Sequence, residues 1–493
     1  MAIKTDKQKV KTILRVSDDK DLINDTQKLN EYIKAHDNLI TSKYEALYNA
    51  YSCNAAILSA KAKALNKPDH RIAVNFPRYI VDTYSGFARG IPVQISSDDS
   101  EVSEYIQHVI DRNELDEVNT ETHKNKCIFG ESYQILFVDE EGEIGTVSVD
   151  PLEAFPIYTN SVRPKLRYFV RTYYDEDNKR HGTISDSANV YYFDFDGGEI
   201  KITETHPHGF PDVPAVVYTM NSARIGLIEI ILPMANAYDR AISEKANDVD
   251  SFADAILKVL GATLSEDQLD NLRDRRIINI GGKDGAGVIV DFLGKPSGDA
   301  TQENLLERLE RLIFTIAMVC NVSDTNFATS SGIALKMKME PMSNMAAGDW
   351  RTDKAAMKQF WKLVFGNPVN TVSPDAWTEI TLSNTLNYPD DLADSAAVAK
   401  TLEGIVSKRT QLSSLPGSLV PDVDEEMERI EAEQAEALEA AAKAAAQAAA
   451  QTGAEQTGAE QTEAEQTGAD KATQEEGANA KNVKSDKTLA ESD

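Results

Sequence analysis

Gly226 to Leu260 reads GLIEIILPMANAYDRAISEKANDVDSFADAILKVL. Its alanines, from Ala235 through Ala255, stand among Asp, Glu, Lys and Asn, and no glycine interrupts it before Gly261. The stretch predicts one long helix with Pro233 in its first turns and a narrow apolar face of small residues. Such a helix is either exposed or packs closely against a neighbour of like kind. Gly261 is the expected stop.

A second strong helix lies downstream. In Gln302 to Cys320, Leu305, Leu306, Leu309, Leu312, Ile313, Ile316 and Ala317 recur on one helical face. Glu303, Glu307, Arg308, Glu310 and Arg311 make the other face. Between the two helices sits a small unit. Ser265 with Gln268 suggests a capped short helix through Arg275, and Ile277–Ile280 with Val288–Phe292 suggests a hairpin. The hairpin would turn through GGKDGAG, residues 281–287. That run is no phosphate loop, because Lys283 is followed by Asp284 rather than Ser or Thr and a strand comes next.

Asn321 to Ser331, NVSDTNFATSS, breaks the periodicity. Helix is expected again from Gly332 to about Phe365, interrupted at Pro341 and Gly348, with a kink at the proline. A short strand at Ile380–Leu382 and a helix over Asp394–Lys408 follow.

Upstream, residues 1–24 read as a polar, charged leader and Asp25–Lys63 as helix. Ile80, Val81 and Tyr84 suggest a short buried helix after Pro77, Gly86 and Gly90 bracket an expected turn, and Pro92–Ile95 suggests an edge strand. Helix is expected over Asp98–Arg112, and from Thr120 to Tyr218 the pattern becomes strand-like. Tyr133–Val138 and Ile144–Val149 make a hairpin. Arg167–Tyr174, Val190–Phe195 and Ile200–Glu204 add strands, with a tight turn at Asp196-Gly197-Gly198.

At the far end Asp422 and Glu425 cap a last helix to about Ala450, its first turn acidic as the helix dipole favours. QTGAE, QTGAE, QTEAE and QTGAD then repeat from Gln451 to Asp470. Residues 451–493 cannot bury a core and are expected to be disordered.

The chain has 493 residues, enough for several domains, with 51 basic against 80 acidic residues and a net charge of −29. From Asp422 onward 19 acidic residues face 6 basic ones, so body and tail are both acidic. This argues against a sequence-reading DNA binder with a basic face. No apolar run of about 18 residues and no secretory signal is found. Cys53, Cys127 and Cys320 form no metal or disulfide pattern and are expected to be small core residues. No HExxH, GxSxG, paired CxxC or Walker motif occurs. His206 and His208 could hold a metal if both rings point one way on a strand, but a surface loop between prolines is the simpler expectation. Glu244, Asp250 and Asp254 are expected on a solvated helix face. The fold class expected is α+β and helix-rich.

The chain resembles the portal proteins of tailed bacteriophages, head-to-tail connectors of the type found in siphophages of Gram-positive bacteria. The resemblance rests on NFPRYIVDTYSGFARGIPVQ (Asn75–Gln94), IFGESYQILFVDEEGEI with DPLEAFPIY (within Ile128–Tyr158) and ANAYDRAISEKANDVDSFADAILKVLG (Ala235–Gly261). It continues in SSGIALKMKMEPM (Ser330–Met342) and SKRTQLSSLPGSLVPDVDEEMERIEAE (Ser407–Glu433). Order and spacing carry it over roughly residues 25–435.

The resemblance implies a portal architecture, with residues 25–225 and 333–390 forming a wing of helices plus a small β module. Residues 226–260 and 301–320 would be the stem helices, 261–300 a small α/β clip, 391–450 a helical crown and 451–493 the acidic tail. Residues 321–332 would be a tunnel loop near DNA, with Thr325, Asn326, Phe327, Thr329, Ser330, Ser331 and Gly332, and with Lys336 and Lys338 just past it. The resemblance further implies a homo-oligomeric ring, a dodecamer, at one vertex of the capsid, assembled in the host cytoplasm and carried in the virion. Double-stranded DNA would pass through it without sequence readout during packaging and ejection. The terminase large subunit and then a head-completion adaptor would dock at the clip, where Lys283 and Asp284 are candidates. Scaffold and major capsid protein are the other implied partners. No catalytic site, cofactor, metal or membrane contact is implied. Two other classes fit the composition: an acidic scaffold or adaptor of the virion, and a cytoplasmic α+β enzyme without a recognisable motif.

Overall fold

The computed structural model of the chain describes residues 13–17, 21–64, 67–253, 257–260, 266, 289–292, 299–322, 332–388, 392–415, 419–420 and 422–459. They belong to two units, Met1–Pro389 and Asp390–Asp493.

The first unit opens on strand β1 (Leu14–Val16), which lies inside the stretch expected to be a polar leader. Its Leu14 and Val16 are buried, and it pairs in parallel with a later strand. Helix α1 (Thr26–Leu39) is capped by Asp25, whose side chain accepts from the Lys28 N–H, and buries Leu29, Ile33, His36 and Leu39 at helical spacing. A π-helical turn (Ile40–Tyr44) leads into α2 (Glu45–Tyr51). The helix expected to reach Lys63 therefore ends at Tyr51. The Ser52 hydroxyl donates back to the Tyr48 carbonyl (2.9 Å), and Cys53 adopts a left-handed φ of 63°.

Helix α3 (Phe76–Arg89) has Asn75 as its cap and Pro77 in its first turn. Gly86 lies within it rather than at a turn, and Gly90 ends it. A Cβ on Gly90 would stand 2.2 Å from the Gly86 carbonyl oxygen. Strand β2 (Gln94–Ser96) and α4 (Ser100–Asn113) follow close to expectation. Glu114, at φ 46°, then turns the chain into α5 (Leu115–Phe129), where strand was expected from Thr120. The buried face of α5 includes Thr122, His123 and Lys126, so the apolar period that marks a helix is missing.

Strands β3 (Glu131–Val138) and β4 (Ile144–Val149) form the expected hairpin. Next come β5 (Ala154–Thr159), β6 (Leu166–Tyr174), β7 (Arg180–Ser185), β8 (Asn189–Asp196), β9 (Glu199–Pro207) and β10 (Ala215–Thr219). They divide into a six-stranded sheet of order β1-β5-β6-β7-β8-β9 and a three-stranded sheet β10-β3-β4. The first sheet buries Phe155, Ile157, Tyr168, Val170 and Phe193 against Leu29 and Ile33 of α1. Tyr133, Val149, Phe169 and Ala215 join the two sheets.

Helix α6 (Leu227–Ala253) is shorter than expected. Leu257–Leu260 leaves the helix to form strand β11, paired antiparallel with β12 (Ile289–Phe292). The partner of β12 is thus β11, whereas Ile277–Ile280 was expected; that segment, Gly261 and most of 261–288 lie outside the described residues. Helix α7 (Asp299–Ala317) ends three residues before Cys320, with Met318 at φ 55°. Helix α8 (Gly332–Phe365) is one continuous helix through Pro341 and Gly348, where interruptions were expected. Strand β13 (Thr381–Ser383) pairs with β2. Phe360, Trp361 and Val364 of α8 pack with Leu136, Val216 and Tyr218 of the three-stranded sheet.

In the second unit, the expected helix Asp394–Lys408 is divided. Helix α9 (Leu392–Thr401) stops before Gly404, which sits at φ 77°, and α10 (Lys408–Leu412) starts anew with Ser407 as its cap. Helix α11 (Val423–Ala459) is capped by Asp422, which accepts from the Asp424 and Glu425 N–H groups at 2.7 and 3.1 Å. It continues past Ala450 through Ala459, so nine residues expected to be disordered are helical; residues 460–493 lie outside the described residues. The architecture is α+β and helix-rich. Among the described residues no helix is long and apolar enough to cross a membrane.

Candidate functional site

Helices α6 and α7 lie against each other. Ile228 and Ile231 of α6 share a core with Ile313, Phe314 and Ala317 of α7. Phe76, at the start of α3, meets Tyr238 and Phe314 edge-on, with centroids 4.9 and 5.8 Å away. Farther along, Gln302 donates to Asp248 (2.9 Å) and Lys245 pairs with Glu303. The apolar face expected on α7 is divided. Leu306, Ile313 and Ala317 are buried, whereas Leu305, Leu312 and Ile316 are 49, 37 and 42% exposed.

The other side of α6 carries a device that the sequence reading missed. Asp239, Ser243 and Asn247, at i, i+4 and i+8, are all buried. They receive alternate backbone N–H groups of an extended segment. Val74 donates to Asp239 (2.8 Å), Ile72 to the Ser243 hydroxyl oxygen (2.9 Å) and His70 to Asn247 (2.7 Å). The extended chain advances about 6.6 Å per two residues and the helix about 6 Å per four, so the two ladders stay in step. Beyond it Lys63 pairs with Glu244 and His70 with Asp250, which are therefore tied to the 60–74 segment rather than merely solvated. Asp254 lies outside the described residues.

At its start α6 is held by a second buried cluster. Arg224 pairs with Glu131 (2.5 Å) and donates to the Tyr158 hydroxyl (2.9 Å), while the Tyr44 hydroxyl donates to the other Glu131 oxygen (2.9 Å). Gly130, at φ 90°, makes this possible, since a Cβ there would lie 2.2 Å from the Arg224 carbonyl oxygen.

The loop between α7 and α8 was expected to hold the DNA-facing groups. Thr325, Asn326, Phe327, Thr329, Ser330 and Ser331 lie outside the described residues, as do Lys283 and Asp284. The flanks are described. Asn321 donates to Glu310 (2.9 Å) and the Val322 N–H to the Tyr79 hydroxyl (3.2 Å), fixing the exit of α7. Gly332 is the first residue of α8, and Lys336 and Lys338 are exposed on its opening turns. The Cys320 thiol donates to the Lys338 carbonyl (3.3 Å), which ties the two flanks together.

Deeper along α8 lies a charge network absent from the sequence reading. Lys126 of α5 is fully buried and its ammonium contacts Asp349 and Asp353 of α8, both at 2.5 Å. Arg89 of α3 pairs with Asp353 (2.5 Å) and donates to Asn384 (2.9 Å). His123 Nε2 donates to Asp349 (2.9 Å), and its Nδ1 is 3.1 Å from the Ser85 hydroxyl, which suits a neutral ring. Burial and then the Lys126 charge hold His123 below the ordinary histidine range. Burial would raise the Asp349 carboxyl, but Lys126 and the His123 hydrogen bond outweigh it and hold it below the usual carboxylate range. Burial would lower Lys126, and the two aspartates outweigh it in the other direction. His123, Asp349 and Asp353 converge closely enough to hold a metal ion, but the space between the carboxylates is taken by the Lys126 ammonium. The only sequence signal was the i, i+4 spacing of Asp349 and Asp353.

His206 and His208 do not converge on a common ligand. His206 contacts Glu204 (3.0 Å), whereas His208 contacts the Asp186 carbonyl (3.1 Å) and accepts from the Phe210 N–H (3.0 Å). Of the cysteines expected in the core, Cys127 is buried, Cys320 is half-buried and Cys53 is exposed, because α2 ends before it.

A family model described as phage portal protein, SPP1 Gp6-like, matches residues 30–440. The portal protein of Bacillus phage SPP1 is 25% identical over 396 residues, covering 74% of this chain and 76% of its own length. The portal protein of Clostridium phage phiCD119 is 25% identical over 399 residues, covering 73% and 84%. A chain from the neck of an empty GTA particle, solved with C6 symmetry, is 11% identical with a TM-score of 0.41, covering 69% of this chain and 90% of that one.

Proposed function

This chain belongs to the SPP1 Gp6-like family of phage portal proteins, and we propose that it acts as a DNA-conducting ring at one capsid vertex, with α6 and α7 as the stem. The family match over residues 30–440 carries the reading. The physical chemistry supports it. A conduit must let the duplex slide, and each phosphate neutralised by Lys or Arg adds affinity that slows passage. A chain of net charge −29 avoids such adhesion, and Lys336 and Lys338 beside the loop offer limited guidance. Short hydroxyl and amide groups at 325–331 suit transient phosphate contacts without base readout.

In this reading the role is structural, and a separate motor supplies the energy of packaging. The terminase large subunit and later a head-completion adaptor dock near Lys283 and Asp284, with scaffold and major capsid protein as assembly partners. The ring contains about twelve copies, forms in the host cytoplasm and remains in the virion.

Electron-microscope class averages of the purified full chain, with native mass to count copies, test the proposal. Closed rings with a hole of about 20 Å or more, wide enough for a duplex, are expected. A chain that stays monomeric, with scaffold and without, would overturn it.

A further inference from the structure

A recess of about 270 Å³ opens between α2, the turn at 53–59, the extended segment at 73–75 and α6. Its walls are mostly small, with Ala46, Ala50, Ala55, Ala56 and Ala235 among them, and Asp239 contributes a carboxylate. Cys53 stands at the recess and is exposed. Tyr48, Leu58 and Ile72, which neighbour lining residues in sequence, are 47, 40 and 37% exposed. A shallow pocket with an apolar margin and one acid suits a protruding side chain with an apolar stem and a cationic end.

The chain carries such a feature on another element. Leu305, Arg308, Leu312 and Ile316 follow one another along α7 at helical spacing, and all four are exposed. Arg308 makes no ion pair among the described residues. The recess holds one carboxylate, that of Asp239, one oxygen of which accepts the Val74 N–H, and the ridge carries the exposed Arg308, so neither patch complements itself. A contact between two different patches is heterologous, and repeated head-to-tail it closes into a ring when the rotation allows.

We infer that the occupant of the recess beside α6 is the Leu305–Ile316 ridge of a second copy of this chain, with Arg308 directed toward Asp239. The inference rests on the ring reading and adds the two surfaces that meet. Apolar burial supplies most of the attraction, and the Arg308–Asp239 pair sets the register.

The test uses the one natural thiol at the recess. Leu305→Cys is made in the full chain, assembled and oxidised, with the fully exposed Val162→Cys as control. The expected result is a ladder of covalent oligomers rising beyond the dimer for Leu305→Cys and none for Val162→Cys. Maleimide labelling of Cys53 in the unmodified chain is expected to slow at least about tenfold on assembly. Arg308→Glu, on an exposed position that leaves the fold intact, is expected to weaken assembly about tenfold or more. A ladder that stops at dimers would mean a self-complementary contact and overturn the inference. Rings seen by microscopy with Cys53 still freely labelled and no cross-link would overturn it while leaving the ring reading standing. Absence of any ring would remove both.

Discussion

At the scale of single residues, the acid sensitivity of this molecule rests in part on one imidazole. His36 is buried and stacked on Phe155 with centroids 4.4 Å apart, and its Nε2 donates to the Pro151 carbonyl (2.8 Å). Burial is the largest effect and lowers its pKa from 6.5 to about 4. The unfolded chain therefore binds the proton first as pH falls. This contribution to stability is complete above pH 6.5 and is lost progressively as pH drops toward 4. One proton of difference is worth about 1.4 kcal/mol per pH unit. His36→Gln keeps a donor but does not titrate. Its urea unfolding free energy is expected to fall less steeply between pH 6 and 4.5, by about 1.4 kcal/mol per unit. Parallel curves for variant and parent would show that His36 does not titrate on unfolding.

At the scale of elements, α3, α5 and α8 are joined by ions rather than by apolar contact alone. The Lys126 ammonium touches both Asp349 and Asp353, and Arg89 pairs with Asp353. Removing one partner of a buried pair leaves an uncompensated charge and costs about 3–5 kcal/mol. Lys126→Met should therefore lower unfolding stability by that amount, while Lys126→Met combined with Asp349→Asn should recover part of it. Equal denaturation midpoints for Lys126→Met and the parent would refute the assigned role. The same network shows why α5 was invisible beforehand. Its inward face mixes Thr122, His123 and Lys126, which periodicity assigns to solvent, with Leu115, Cys127, Ile128 and Phe129, so no apolar period stands out. The β3–β4 hairpin was legible because its strands alternate and a charged turn separates them. Likewise, a run of apolar residues on α7 predicted burial at Leu305, Leu312 and Ile316, but periodicity finds a face without telling which part the same subunit covers. Helices α6 and α7 and their order along the chain were legible from the residue pattern. The Asp239–Ser243–Asn247 ladder was not, because its partner lies about 170 residues away and only folding brings them together.

At the scale of the whole molecule, the family match takes in the start of the acidic helix α11 and leaves out its end. The match ends at residue 440, and the side chains of α11 from Glu431 to Glu439 are exposed. Truncation after Ala450 removes the last nine residues of α11 and all that follows. Native mass of the truncated chain is expected to give the same ring as the parent. Loss of assembly would make the tail an organising element and move the function toward an acidic scaffold.

The ladder along α6 also bears on how the chain is made. His70, Ile72 and Val74 leave the ribosome 165 to 177 residues ahead of the side chains that receive their N–H groups. At synthesis rates of about 5–20 residues per second, that is a delay of roughly 10–35 s. During it the segment has no native partner on α6, and the contacts that close last are the ones most separated in sequence. Helix α6 is therefore completed against an N-terminal segment synthesised before it.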